Sequence, residues 1–366
     1  MLRKIYVNSR RFVGFCLYNT AFYIRNLGKR PLPTEIKKIL ICNPAHVGDV
    51  IIATSVLPLL KAHFPGVEIG FLVGSWSECV VLGHPDLARV HIYDHWRFNR
   101  GKITKGQKKA RHLLTAFQAS KEIASFNYDI CLDLYHNPCS TVIAAKAKIP
   151  YRLGYMRKWG GLFLTHALKW KDKNQPIVKF HLELLELLKI SCLSAFPSLP
   201  MKAAPKTIPS NGILFHIGTG AEKREWPVSH WRKLAKLCID AGYHLVFTGQ
   251  GSRESMQIEK ITQGLKNVTN YCDQLNFEEW TALISKAPLL VNVNTSAGHV
   301  ASAFQIPNIV LFSGIDKQEQ WGPFNPKSTL LMKMMPCYPC YRGCKSMSCI
   351  REISVEEVFA EILKKR

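Results

Sequence analysis

A short apolar run from Lys37 to Cys42 ends at Asn43-Pro44, and apolar positions then recur with a helical period from Gly48 to His63. That reads as strand, loop and helix. A second apolar run spans Val67 to Val73, with a helix expected from Ser75; further runs follow at Val90 to Tyr93 and Asp129 to Leu134. Strands that are apolar throughout and alternate with helices imply a parallel sheet covered on both faces. The alternation pauses across Lys171 to Pro176 and a leucine-rich helix, Leu182 to Leu188, and a proline-bearing stretch from Phe196 to Pro209 reads as a linker.

The alternation restarts at Gly212. Strands are expected at Ile213 to Ile217, His244 to Thr248, Leu289 to Val293 and Ile309 to Phe312. Helices are expected at Trp231 to Ala241, Glu254 to Leu265 and His299 to Phe304, and a last one, Val355 to Leu363, could pack on either half. The organisation is α/β: two Rossmann-like domains at 36–195 and 196–366, after an N-terminal segment of 35 residues, with a cleft expected between the halves.

Composition narrows the partners. With 49 Lys and Arg against 26 Asp and Glu the formal charge is +23, which concentrates anions near the protein without naming them. Seven of the cations and no acid fall between Met1 and Thr34. The apolar stretch there, Phe12 to Ile24, has 13 residues, short of the roughly 20 that cross a bilayer. On a helix, Phe12, Phe15, Cys16, Phe22 and Tyr23 share one arc, as in a segment lying on an anionic membrane, although a packed N-terminal helix has the same pattern. Twelve cysteines without a secretory signal, several inside apolar runs, point to a reducing, cytoplasmic setting.

Ligands of such sheets bind at the turns that follow strands, and three turns stand out. In Asn43 to Asp49 a glycine precedes an acid entering a helix, where Asp49 could equally be a cap. In His216 to Pro227, Gly218, Thr219 and Gly220 leave backbone N–H groups open to a phosphate that Lys223 or Arg224 could neutralise; a plain surface loop is the alternative. Asn292 to His299 carries a strand into a helix through small and hydroxyl residues, which fits either a diphosphate site or an ordinary capped helix.

These turns, in this order, resemble glycosyltransferase family 9, the bacterial heptosyltransferases, whose fold is GT-B, two Rossmann-like domains with parallel sheets facing each other across a cleft. The resemblance rests on Val47-Gly48-Asp49-Val50-Ile51 with Phe64-Pro65-Gly66, on Trp226-Pro227 with Trp231, on Tyr151 to Tyr155, and on Gly298-His299-Val300-Ala301. It implies that Asp49 is the catalytic base, that the Gly218 to Arg224 loop holds donor phosphates, and that Asn294, Thr295, Ser296 and His299 line the diphosphate site. Glu254 would bond the donor ribose. Asn43, Arg224, Asn294 and Ser296 depart from the commonest family residues, which bears on the donor's identity.

The activity implied is transfer of a heptose or related sugar, with inversion, from an ADP-sugar to a lipopolysaccharide core at the inner face of the cytoplasmic membrane. Transfer from another nucleotide sugar, and non-catalytic binding, are the alternatives. No Asp-x-Asp pair is present, so the expected catalysis is metal-independent. Between His95 and Lys121 eight cations and no acid are interleaved with Trp96 and Phe98; Arg97, Arg100 and Lys102 are the candidate contacts to an anionic lipid-linked glycan. No nucleic-acid recognition module accompanies them. Cys337, Cys340, Cys344 and Cys349 could hold a structural Zn or be a loop of reduced thiols, the second half of the spacing being atypical for zinc.

Overall fold

The computed structural model describes residues 31–365, apart from 137, 157, 172, 341–343 and 345; the basic N-terminal segment lies outside the described residues up to residue 30. The chain divides into two compact units, one running through Lys173 and including Lys179–Ala195, the other made of Asn174–Val178 and everything from Phe196.

The first unit holds a six-stranded parallel sheet in the order β3-β2-β1-β4-β5-β6: β1 Lys38–Cys42, β2 Glu68–Val73, β3 Arg89–Ile92, β4 Ile130–Asp133, β5 Tyr151–Met156 and β6 His166–Lys169. Its central strands are buried on both faces, which is why KILIC and ICLD carry no alternation. Helices α1 Val47–Ala53, α2 Leu57–His63, α3 Lys105–Phe126, α4 Pro138–Lys146 and α5 Ile177–Leu185 complete it. The helix expected from Gly48 to His63 is broken by a 3-10 turn at Thr54–Val56, and the one expected from Ser75 is only a 3-10 turn at Glu78–Val80.

The longest element, α3, occupies the stretch read as a cationic patch. Thr104 caps it, accepting the Gln107 N–H at 3.2 Å while Gln107 accepts the Thr104 N–H at 2.9 Å, and Asn127 ends it in the left-handed region at φ 52°. Only Thr115, Ala119 and Ile123 are buried, one residue per turn, so its amphipathic signal is faint.

The second unit repeats the plan, with strand order β12-β11-β10-β7-β8-β9: β7 Gly212–His216, β8 His244–Thr248, β9 Val268–Asn270, β10 Leu290–Val293, β11 Asn308–Leu311 and β12 Ser328–Leu331. Its helices are α6 Val228–Asp240, α7 Ser252–Thr262, α8 Phe277–Ser285, α9 Ser296–Ala303, α10 Gln318–Trp321, α11 Ser348–Arg351 and α12 Val355–Lys364. The last helix packs here, burying Val355, Val358 and Ile362 in the same core as Trp226 and Trp231. In each sheet the chain starts at the centre and reverses direction once, between β1 and β4 and between β7 and β10. Such a reversal splays the flanking loops and opens a crevice at the strands' carboxyl ends.

Candidate functional site

At the reversal point of the first unit, β1 leads through Asn43–His46 into α1. Asp49, the third residue of α1, accepts the His46 N–H at 3.1 Å, so the carboxylate does cap the helix. With about four lone-pair positions, a carboxylate that caps a helix is not thereby barred from a second role. The turn is held firmly: buried Asn43 donates to the Asp49 carbonyl at 3.2 Å, and the Trp76 indole N–H donates to the Ala45 carbonyl at 2.7 Å.

The cationic loop reaches this turn. Arg100 Nη2 lies 3.3 Å from His46 Nε2, and Phe98 meets the His46 ring edge-on at 5.2 Å. Arg97 lies instead over the Trp96 ring at 5.0 Å, and Lys102 is exposed on the loop before α3. Arg111, counted in the same patch, is paired with buried Asp94 and supports the sheet. His46 went unread in the sequence, although an acid three residues after a candidate cap is the mark of a reciprocal cap. Neighbouring His95 is held neutral by burial, its pKa pushed down to about 4.

Tyr151-Arg152-Leu153-Gly154-Tyr155 forms most of β5. Arg152 donates to the carbonyls of Phe163 and Ile149, and a Cβ on Gly154 would lie 3.0 Å from Leu164. This segment is structural.

In the second unit the two remaining turns flank the reversal point, one after β7 and one after β10. A Cβ on Gly218 would stand 2.1 Å from Glu254 Oε2, so a larger residue there displaces that carboxylate. Glu254 accepts the Gln250 N–H at 2.7 Å, and burial raises its carboxyl above the usual range against the N–H groups and the Arg253 charge that pull it down. Arg253 donates to the Thr219 carbonyl at 3.0 Å and pairs with Glu225, so α7 fastens the loop that holds Thr219 and exposed Gly220.

Lys223 and Arg224 share a 3-10 turn, Lys223 exposed and Arg224 partly covered and ion-paired to Asp316. The Arg224 Nε is buried without a partner. Asp316 had no signal in the sequence, because its relation to Arg224 spans 92 residues. Trp226 and Trp231 lie in the core, Trp226 donating to the Ile353 carbonyl at 3.0 Å.

After β10, buried Asn294 donates its backbone N–H to Leu311 at 3.1 Å and Thr295 caps α9 in extended conformation. Thr295 Oγ1 and the hydroxyl of Ser313, just beyond β11, are buried without partners. Ser296 begins α9, whose free N–H groups and positive end face out of the strand ends. His299 is buried and neutral, its pKa pushed down to about 4. Gly298 again answers to packing, since a Cβ would lie 2.7 Å from Pro323. A cavity of about 330 Å³ opens at the opposite, amino end of this sheet, between Asn211, Tyr243 and Leu289, away from all these groups.

The four clustered cysteines differ in setting. Cys349 is buried and accepts the Gly314 N–H at 3.2 Å; Cys344 is exposed and accepts the Met347 N–H at 3.3 Å. Among the described residues no three His, Cys, Asp or Glu side chains stand together as a metal-holding group. Also among the described residues, no helix is long and apolar enough to cross a membrane.

The model of glycosyltransferase family 9 (heptosyltransferase) matches residues 116–351. The chain is 25% identical over 320 residues to lipooligosaccharide heptosyltransferase 2 of Haemophilus ducreyi, spanning 80% of this chain and 85% of that protein. Among solved structures, a glycosyl transferase of family 9 from Veillonella parvula superimposes with a TM-score of 0.72 at 18% identity, over 92% of this chain and 98% of that one. The E. coli heptosyltransferase WaaC with ADP-2-deoxy-2-fluoro heptose gives a TM-score of 0.70 at 18% identity, over 90% and 100%. The shared fold is GT-B.

Proposed function

The chain belongs to glycosyltransferase family 9 and is a glycosyltransferase; from that premise we propose that it moves a heptose, or a related sugar, from an ADP-sugar onto an anionic lipopolysaccharide core. The carrying observation is the pair of loops at the reversal point of the second sheet. One presents Arg224 and Lys223, the other the N-terminus of α9 with the unpartnered Thr295 hydroxyl. Cations and helix N–H groups at one strand end suit a diphosphate. That WaaC was solved with an ADP-sugar supports the choice of nucleotide.

The reaction on this reading is a single displacement with inversion. Asp49 accepts the proton of an acceptor hydroxyl as its oxygen bonds to the anomeric carbon, and the bond from that carbon to the diphosphate breaks. The departing diphosphate carries the charge, and Arg224, Lys223 and the α9 N-terminus stabilise it without a metal. Arg100 and the other exposed cations of the 97–102 loop would hold acceptor phosphate. The acceptor places the enzyme at the inner membrane surface, where the basic N-terminal segment would assist binding. Cys337, Cys340, Cys344 and Cys349 are the residues that would hold a structural Zn, and Cys349 stands within electrostatic reach of the other three.

Uncharged Asn294 and the side chain of Ser296 beside the diphosphate site favour a second reading, another nucleotide sugar or binding without turnover. Titration calorimetry with a panel of nucleotide sugars, followed by a turnover assay, separates the three. Asp49→Asn retains capping ability and loses basicity, so the expected outcome is unchanged folding and donor affinity with turnover down roughly 10²-fold or more. A stable, donor-binding Asp49→Asn protein working near the wild-type rate would remove Asp49 from the chemistry.

A further inference from the structure

The long helix α3 exposes the wrong residues for a helix bathed in water. Leu113, Leu114 and Phe117 are 68%, 57% and 58% exposed, while its three buried residues are Thr115, Ala119 and Ile123. At about 100° per residue, Ala110, Leu113, Leu114, Phe117 and Lys121 share one arc of about 100°, opposite the buried stripe. The face turned from the sheet is therefore apolar. Ile103, just before the helix, is exposed as well.

Cations stand toward both ends of this helix. Lys121 Nζ stands 4.3 Å from the Phe117 ring, and Lys105 and Lys109 lie 5.8 and 5.9 Å from the ring of Trp96, which is only partly covered. The one acid on α3, Glu122, is exposed and engaged with buried His91 at 3.1 Å. Exposed aliphatics, an aromatic and a Lys on one helix face form the kind of surface that sits in the headgroup layer of an anionic bilayer.

We infer that α3 is a membrane-docking element, with Leu113, Leu114 and Phe117 entering the headgroup layer of an anionic lipid surface and Lys121, on the same face, meeting the lipid phosphates. Charge decides between the occupants. A second copy seated on the same face would set cation against cation, whereas an anionic leaflet neutralises them. Leu113, Leu114, Phe117 and Lys121 carry no donor or acceptor assignment, although Lys121 ends the same basic stretch as Arg97, Arg100 and Lys102.

The full-length chain and its Leu113→Gln/Leu114→Gln/Phe117→Gln variant are floated with vesicles of mixed phosphatidylglycerol and phosphatidylcholine, and with phosphatidylcholine alone. The wild type floats with the anionic vesicles, less so as salt is raised, and the variant's partition coefficient falls about tenfold or more. All three substitutions are at exposed positions, so the melting temperature should hold. Turnover on detergent-dispersed acceptor should also hold, which keeps this outcome distinct from any failure of the catalytic reading.

Because the basic N-terminal segment also attracts anionic lipid, a second measurement localises the contact. In Phe117→Trp the added emission should be quenched by vesicles whose acyl chains carry bromine. Unquenched added emission from vesicle-bound protein overturns the proposal. So does a concentration-dependent dimer that the triple substitution abolishes, which would assign the face to a second copy.

Discussion

Arg224→Ala is the most informative single test of the proposed donor site. The guanidinium is 28% exposed and paired with Asp316, itself 23% exposed, while its Nε is buried without a partner. If that nitrogen and its neighbour hold a donor phosphate, the alanine variant loses a charge-assisted hydrogen bond of about 1.5 to 3 kcal/mol. That corresponds to a Kd raised about 10- to 150-fold. The loss should sit at the upper end, because removing the arginine strands the Asp316 carboxylate beside the diphosphate and adds repulsion. Asp316→Asn in the Arg224→Ala background should then recover part of the affinity. Arg224→Lys should retain the charge and lose the second parallel bond.

Stability supplies the control. Both partners are mostly covered, so removing Arg224 leaves the Asp316 carboxylate unpaired and the melting temperature should fall modestly, and Asp316→Asn in the same background should restore it. Titration calorimetry with ADP and with the ADP-sugar, beside a thermal melt of the same preparation, reads both quantities. An alanine variant with wild-type donor affinity and a markedly lower melting temperature would refute the reasoning. Arg224 would then be a structural pin for the loop around Asp316.

Other outcomes follow from the same contacts. Gly218→Ala should lower the melting temperature by pushing Glu254 off the Gln250 N–H, at about 1 to 2 kcal/mol, and adding Glu254→Ala should cost less than the sum of the two single changes; strict additivity would mean that the two residues do not touch. His181 and His299 are held neutral by burial, with pKa values pushed down to about 4 from about 6.5 in an unfolded chain. Below about pH 6.5 the unfolded chain takes up protons that the native one refuses, so stability is greatest above that pH and falls as acid is added toward pH 4. From pH 7 to 5 the loss is about 2 kcal/mol per histidine, measurable as a lower urea midpoint; a flat profile over that range would show that these rings are not held neutral.

Much of the frame was legible because buried parallel strands announce themselves. Runs such as Ile39–Cys42 and Leu290–Val293 are buried throughout and apolar except for Asn292, and a break into Asn-bearing turns after each marks a strand end. What went unread were elements whose cores are narrow. α3 buries only Thr115, Ala119 and Ile123 amid Lys and Arg and keeps Leu113, Leu114 and Phe117 in solvent, so its periodicity points away from the fold. The helix expected at Ser75 has too few apolar positions beyond Val80 and Val81 to bury a second turn.

The site divides in the same way. Asp49, Gly218, Arg224, Thr295 and His299 could be picked out locally, because a turn's chemistry is written within a few residues of chain. By itself the sequence determined the two α/β units, the strand-end turns and the family they belong to, since each depends on contacts between near neighbours. Only the tertiary structure decided that Asp316 is the partner of Arg224, that Arg100 reaches the His46 cap, that Gly218 makes room for Glu254, and that Trp226 is core. Those relations join residues 36 to 127 positions apart, and sequence periodicity carries no information about which side chains meet once strands have been ordered in a sheet.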